Sequence, residues 1–297
     1  MQYNPLGTSD LNVSEVSFGC MSLGSDDAAN AQLLHRAHDE GINYFDTADI
    51  YNKGQNEITV GKALAGRRDK VIIATKAGNV WRADGSGLDW NPSKEHILKS
   101  ATQSLKRLRT DYIDLYQLHG GTINDPIDET IEAFEMLVSQ GKIRYYGISS
   151  IRPNVIREYV ERSNIVSVMM QYSLLDRRPE EACLKLLNNH SISVLVRGSL
   201  ASGLLIDKLA KPYLNYSEQE VTKLVQAMKN VSQSKRSLTE IALNFALAPD
   251  AVASAVVGMR TEKQLMDLLD ASSTLPLSVR ELDALNVLPP NTYQDHR

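Results

Sequence analysis

Short apolar runs alternate with longer segments of helical period along almost the whole chain. The runs that predict strands are Val16–Gly19, Asn43–Asp46, Val71–Lys76, Ile113–His119, Arg144–Ser149, Ser167–Gln171, Ser193–Val196 and Ser254–Gly258. Their cores are rich in Val, Ile, Leu, Tyr and Phe with little polar alternation, as expected of strands buried on both faces. Helical segments lie between them. Over 93–108, Ile97, Ala101, Leu105 and Leu108 share one face, while Lys94, Lys99, Lys106 and Arg107 lie largely off it. Asn91 is expected to cap this helix, with Pro92 at its first position. Segments 28–40 and 127–139 stop at Gly41 and before Gly141, glycines that suit a helix end needing a positive φ.

Unbroken strand–helix alternation predicts an α/β fold with a parallel sheet. Eight units favour closure into a (β/α)8 TIM barrel over an open doubly wound sheet. No Pro/Ser-rich linker interrupts the pattern, so residues 1–297 are read as a single domain. Tyr3–Ser14, with GTSD between two short extended stretches, predicts an N-terminal β-hairpin under the barrel, and extra helices are expected at the C-terminal end. Two connections after strands are long, 77–91 and Gly198 to about Tyr216. In a β/α barrel both belong to the face where active sites form.

Composition narrows the function classes. The chain has 297 residues, 42% of them hydrophobic, enough for a large core. Thirty-two basic and 36 acidic side chains leave a net charge of −4, which argues against a nucleic-acid partner. Cys20 and Cys183 are too few for a disulfide framework or a zinc cluster. No apolar run approaches a membrane span, and the N-terminal MQYNPLGTSDL carries no secretion signal. A soluble cytoplasmic protein is expected. His35 and His38, at i and i+3, have no third ligand nearby and are read as surface residues, so no metal site is expected.

Four ionisable residues fall at or just beyond strand ends: Asp46, Tyr51, Lys76 and His119. Each alone has an ordinary reading as a cap, a packing ring, a solvated cation or a turn residue. Together, on three consecutive strand ends, they are expected to converge on one pocket. The grouping suits carbonyl reduction. A carbonyl that accepts hydride gathers negative charge on oxygen and needs a proton. A free phenol, with a pKa of about 10, is a weak acid near neutrality, and a neighbouring ammonium stabilises the phenolate. A carboxylate holds the ammonium charged, and an imidazole orients the carbonyl. Tyr51 is thus the expected acid, Lys76 its tuner, Asp46 the partner of Lys76, and His119 the orienting donor. Tyr51 and His119 would also touch substrate. Trp81 and Trp90, in the 77–91 connection, are candidates for lining a pocket for a small carbonyl or sugar substrate. A Schiff-base lyase using Lys76 is an open alternative. So is a regulatory subunit that keeps a cofactor site.

The stretch INYFDTADIY over 42–51, followed by Glu57 and Gly61, resembles the first signature of the aldo-keto reductases. IIATK at 72–76 and DLYQLH at 114–119 resemble the strands that carry that family's lysine and histidine. The likeness continues through GKIRYYGISS at 141–150, MQYS at 170–173, ASGLL at 201–205 and VVGMRT at 256–261. It implies the same barrel, a catalytic tetrad at the four positions above, and NADP(H) as cofactor. By the same resemblance, Ser149, Ser150 and Gln171 would meet the nicotinamide carboxamide, and Gly19, Cys20, Met21 and Asp46 would lie under its ribose. Arg197 stands where many members stack an aromatic ring. After Gly198, the stretch containing Ser199, Leu200, Ala201, Gly203 and Leu204 matches the loop that wraps the pyrophosphate, where small residues let amides approach an anion. Gly258, Met259, Arg260 and Gln264 belong to the final segment. Thr261 and Gln264 have capping-box spacing, which predicts a helix starting at Thr261 beside Arg260, a place for a 2′-phosphate. Asp267 is followed by Leu268 where the family often has asparagine, which predicts weaker adenine bonding. No G-x-G-x-x-G follows a strand, so a Rossmann site has no support.

Overall fold

A computed structural model describes residues 1–232 and 236–297. Strands β1 (Tyr3–Pro5) and β2 (Asn12–Ser14) pair antiparallel as an N-terminal hairpin. Eight strands then close a parallel barrel: β3 (Val16–Gly19), β4 (Tyr44–Asp46), β5 (Ile72–Ala77), β8 (Ile113–Leu118), β9 (Ile143–Ser149), β10 (Ser167–Gln171), β11 (Ser193–Arg197) and β12 (Val252–Gly258). Strands β6 (Asn79–Trp81) and β7 (Leu88–Trp90) form a second hairpin inside the connection after β5. The expected eight-stranded parallel barrel is therefore observed, and the 77–91 connection has secondary structure of its own.

Around the barrel run α1 (Asp27–Asp39), α2 (Gln55–Leu64), α3 (Lys94–Leu108), α4 (Ile127–Ser139), α5 (Pro153–Arg162), α6 (Cys183–Asn189), α7 (Glu218–Ser232), α8 (Leu238–Leu247), α9 (Glu262–Ser272) and α10 (Val279–Leu285). Helix α3 begins later than expected. Asn91 is still tied to the second hairpin, its amide donating to the Gly78 carbonyl at 2.7 Å. Ser93 takes the cap instead and accepts from His96. Among the described residues no helix is long and apolar enough to cross a membrane.

Strand parity decides what faces the barrel axis. Tyr44, Ile72, Ala74 and Leu115 point inward and pack with Leu6, Leu11 and Val13 of the N-terminal hairpin, which plugs the bottom. Leu6 is fully buried, and burial of one leucine stabilises by about 1.5–3 kcal/mol. Phe45, Ile73 and Tyr116, at the alternate positions, pack outward against the helices. The inward rows reach the C-terminal mouth as Asp46, Lys76 and His119. Mostly apolar residues fill the lower layers, with Gln117 and the bonded pair Ser17–Ser254 among them, and the ionisable ones occupy the last.

Candidate active site

The strand ends bring three of the four ionisable residues to the mouth, and a short loop adds the fourth. After Asp46, the Thr47 amide donates to the Ala74 carbonyl at 2.9 Å and the Asp49 amide to the Lys76 carbonyl at 3.2 Å. The chain thus continues along β5 before turning at Tyr51. Asn52 and Lys53 then adopt left-handed backbone (φ 48° and 53°), followed by Gly54 at φ 87°. Left-handed backbone disfavours side chains. A Cβ at Gly54 would lie 2.9 Å from Arg107 Cδ. This tight turn folds Tyr51 back over Lys76.

Helix α2 secures the turn from outside. Asn56 accepts from the Thr47 hydroxyl at 2.6 Å and donates to the Cys20 carbonyl at 2.8 Å. Buried Glu57 accepts from the Thr75 hydroxyl at 2.6 Å and from Arg107 Nε at 2.5 Å. Two residues in the first turn of α2 therefore clamp the ends of β3, β4 and β5 together.

Lys76 and Asp46 are 1% and 4% exposed, so their ion pair is dry. The Lys76 ammonium also donates to the Thr47 carbonyl at 2.7 Å, and Gln117 Nε2 donates to the other Asp46 oxygen at 3.3 Å. Burial works against the Lys76 charge, but Asp46 and Tyr51 outweigh it and hold the ammonium above its ordinary range. Burial raises Asp46, with Lys76 and Gln117 opposing it. Lys76 Nζ lies 5.2 Å from the Tyr51 ring centroid, and the Tyr51 and His119 rings meet edge to face at 5.9 Å. Burial, with Lys76 and Arg197 adding to it, pushes His119 down to about 3, so its imidazole is neutral. His119 Nδ1 is buried without a hydrogen-bond partner among the described residues.

These four residues border one cavity of about 680 Å³. Gly19, Met21, Ser149, Ser150, Gln171, Arg197, Gly198 and Gly258 border it too. Its floor is flat because Gly19 and Gly258 face each other across β3 and β12. A Cβ on Gly19 would come within 3.3 Å of Gly258 N. Three arginines around the mouth, Arg152, Arg197 and Arg260, have no carboxylate partner among the described residues. A dinucleotide fits this donor set. The floor accepts a flat ring, the polar side chains of Ser149, Ser150 and Gln171 can bond an amide, and free guanidinium groups can take phosphates.

Other expected contacts fall outside the cavity wall. Cys20 is fully buried, with its Sγ turned to the Phe18 carbonyl, because the segment folds inward there. Met259 is buried as well. The Ala201, Gly203 and Leu204 amides are spent on turns within their own loop, and Ser199 is buried. Ser202, at φ 57°, is the residue of that loop that borders the cavity; Leu200 is half-buried behind it. Thr261 does cap α9, accepting from the Gln264 amide at 3.2 Å. Gln264 Oε1, however, reaches back to the Arg260 amide at 2.8 Å instead of the Thr261 amide. Asp267 is exposed and paired with Lys263 at 2.6 Å.

The two tryptophans separate. Trp90 stacks against Gly78 and Gly120 and donates to both Asp125 oxygens at 3.0 Å, so it supports the loop after β8 and stands outside the wall of this cavity. Trp81 borders a neighbouring pocket of about 750 Å³ that shares Met21, Ile50 and Tyr51 with the first. Sequence reasoning missed Gln117, which sits one layer below His119, and also Arg152, Tyr213 and His296 on the cavity wall. Among the described residues no cluster suited to a metal ion is present. His35 is half-buried, its Nε2 2.7 Å from the Ala63 carbonyl.

Asp49 sits in the turn between Asp46 and Tyr51, its amide on the Lys76 carbonyl. Burial, with Glu57 nearby, raises its carboxyl from 3.8 to about 7, and one of its oxygens is buried without a hydrogen-bond partner among the described residues. The folded state therefore holds this proton more tightly than the unfolded chain. Its stability is unaffected below about pH 4, falls as pH rises to about 7 and is level above, by up to about 4 kcal/mol. Asp49→Asn removes the ionisation. The variant should melt above wild type at pH 8, with the gap closing near pH 4. A gap independent of pH would refute this.

A model of the Aldo/keto reductase family matches residues 15–288. An oxidoreductase of Bacillus subtilis described as uncharacterized is 51% identical, with both chains covered in full. An Escherichia coli protein named NADH-specific methylglyoxal reductase is 36% identical over 72% of each chain. The holo form of aldo-keto reductase AKR11C1 from Bacillus halodurans superposes with a TM-score of 0.94 at 50% identity. That match covers 100% of this chain and 99% of that one. The chain belongs to the aldo/keto reductase family.

Proposed function

We propose that this protein is an NADPH-dependent carbonyl reductase that converts small aldehydes, ketones or open-chain sugars to alcohols, reversibly. One observation carries the reading: a dry, charged Lys76, held by Asp46 and the Thr47 carbonyl, lies under the Tyr51 ring in the cavity that His119 also borders. A bound nicotinamide supplies the hydride. Tyr51 gives its proton to the oxygen that gathers negative charge, and Lys76 stabilises the charge left on the phenol oxygen. Neutral His119 meets the same oxygen; with Nδ1 buried, Nε2 is the ring nitrogen able to do so. Asp46 keeps Lys76 charged and in place. Ser149, Ser150 and Gln171 would hold the carboxamide, and Arg197 would lie against the ring. A Schiff base is disfavoured, because an imine needs a neutral amine and Lys76 is held charged. Residues 1–297 would act as one domain, and two free cysteines suit the reducing cytoplasm.

Cofactor choice is assigned to Arg260. It is exposed just before the Thr261 cap of α9, with no carboxylate partner among the described residues. Arg260→Ala should weaken NADPH binding by roughly tenfold to a hundredfold while leaving NADH much less affected. Fluorescence titration with both cofactors checks this; equal weakening would remove Arg260 from the 2′-phosphate site. The reading as a whole is tested by initial rates of NADPH oxidation with a panel of aldehydes, ketones and sugars. No turnover of any of them would overturn it.

A further inference from the structure

Of the three unpaired arginines around the mouth, two have work in the cofactor reading above and Arg152 has none. Its place in the fold sets it apart. Arg197 ends β11 and Arg260 follows β12, whereas Arg152 follows β9, which adjoins β8 and His119 in the barrel. Its guanidinium donates to the Gly121 carbonyl and borders the cavity beside Gly120 and Gly121. Asp125, the acid nearest in sequence to that turn, is already engaged. It accepts from Trp90 Nε1 and from the Thr122 amide and hydroxyl at 2.7 and 2.6 Å. The far end of the chain closes the same corner. His296 borders the cavity, and its carbonyl accepts from the Asn154 amide at 2.9 Å. The corner thus holds one permanent cation, an imidazole and one carboxylate, Asp125, which is turned to Trp90 and Thr122; among the described residues no ion pair joins it to Arg152.

Arg152 is half-buried in the cavity wall, and a partly desolvated cation without a counter-ion favours a ligand that brings the opposite charge. From these contacts we infer that Arg152, with His296 beside it, forms a subsite for an oxyanion at the far end of the substrate, a carboxylate or a phosphate. Gly121 is two residues beyond His119, so their Cα atoms are at most about 7 Å apart. A carbonyl held at Tyr51 and His119 would place an anionic group a few bonds away within reach of Arg152. The subsite rests on the carbonyl-reductase reading and adds a substrate class to it: short aldehydes with an anionic tail. A guanidinium matches carboxylate and phosphate oxygens in a fork, which an ammonium does not.

Three aldehydes on one ring scaffold test it: 4-carboxybenzaldehyde, 4-formylphenyl phosphate and the neutral 4-formylbenzamide. The intact protein with NADPH should favour at least one of the anions over the amide by roughly tenfold or more in kcat/KM, mostly through KM. Which anion is preferred separates carboxylate from phosphate. Arg152→Gln should abolish the preference, and Arg152→Lys should restore part of it. Equal kcat/KM on all three substrates overturns the subsite. So does an Arg152→Gln loss that is equal on all three, since Arg152 would then only brace Gly121. If no aldehyde is reduced at all, the carbonyl-reductase reading fails separately. Binding of terephthalate to the NADPH-loaded protein then decides the subsite: binding lost in Arg152→Gln supports it, and no binding to wild type ends it.

Discussion

Tyr51→Phe is expected to lower kcat by roughly a thousandfold while NADPH affinity stays within about twofold. The substitution removes one oxygen and leaves the ring that meets His119 edge to face and lies over Lys76. Among the described residues that hydroxyl bonds no backbone group and ties no helix or strand to another, so the melting temperature should barely move. The loss should fall on kcat and kcat/KM alike, because proton donation matters only as charge develops on the substrate oxygen. Steady-state rates and cofactor titration on the same preparation check both halves. A variant that keeps a tenth of the wild-type kcat would take the proton-donor role away from Tyr51.

Lys76→Met is expected to abolish activity as fully and, unlike Tyr51→Phe, to destabilise the fold. Asp46 would remain buried with Gln117 as its remaining side-chain partner. Removing one member of a buried pair typically costs about 3–5 kcal/mol. Part of that loss would be moderated by protonation of Asp46, since a carboxyl without its cation is easier to protonate than to keep charged in a dry site. The double variant Lys76→Met/Asp46→Leu removes both charges and should recover much of the stability without any activity. Urea unfolding of the three variants reads this directly. A double variant no more stable than Lys76→Met alone would mean that the pair is not what Lys76 stabilises.

The different consequences of these substitutions follow from how the site is built. Tyr51 comes from a loop at the cavity wall and lies over Lys76 without being part of the barrel's packed layers. Asp46 and Lys76 end strands and form the top layer of the barrel interior, directly above Tyr44, Ile72 and Ala74. The same two charges thus serve both the pocket and the packing.

That layering explains what could be read from the chain. The apolar strands of near-uniform character pointed to the barrel, and the place of Asp46, Lys76 and His119 at successive strand ends pointed to one shared pocket. Gln117 shares the His119 row, but an isolated polar residue inside a strand carries no sign that it supports a carboxylate. Asn91 and Ser93 are both good caps two residues apart. The choice between them was made by a hairpin bond from Asn91 to Gly78, a tertiary contact. Trp90 and Trp81 look alike in sequence, yet the register of one hairpin sends the first under the His119 loop and leaves the second beside Tyr51. Small residues after β11 suggested free amides for an anion. Their turns consume several of those amides, which composition does not reveal. Arg152 and His296 are 144 residues apart in the numbering and meet one cavity only because the tail returns across the barrel mouth.

The most direct test of the central claim follows hydrogen itself. The protein is incubated with NADPH carrying deuterium at both nicotinamide C4 positions and an aldehyde that it turns over, in ordinary water, and the alcohol is analysed by mass spectrometry and NMR. Hydride transfer across this cavity predicts one deuterium on the carbinol carbon and a hydroxyl proton from solvent. An alcohol without deuterium on carbon, or deuterium lost to water at the same rate without substrate, would contradict it.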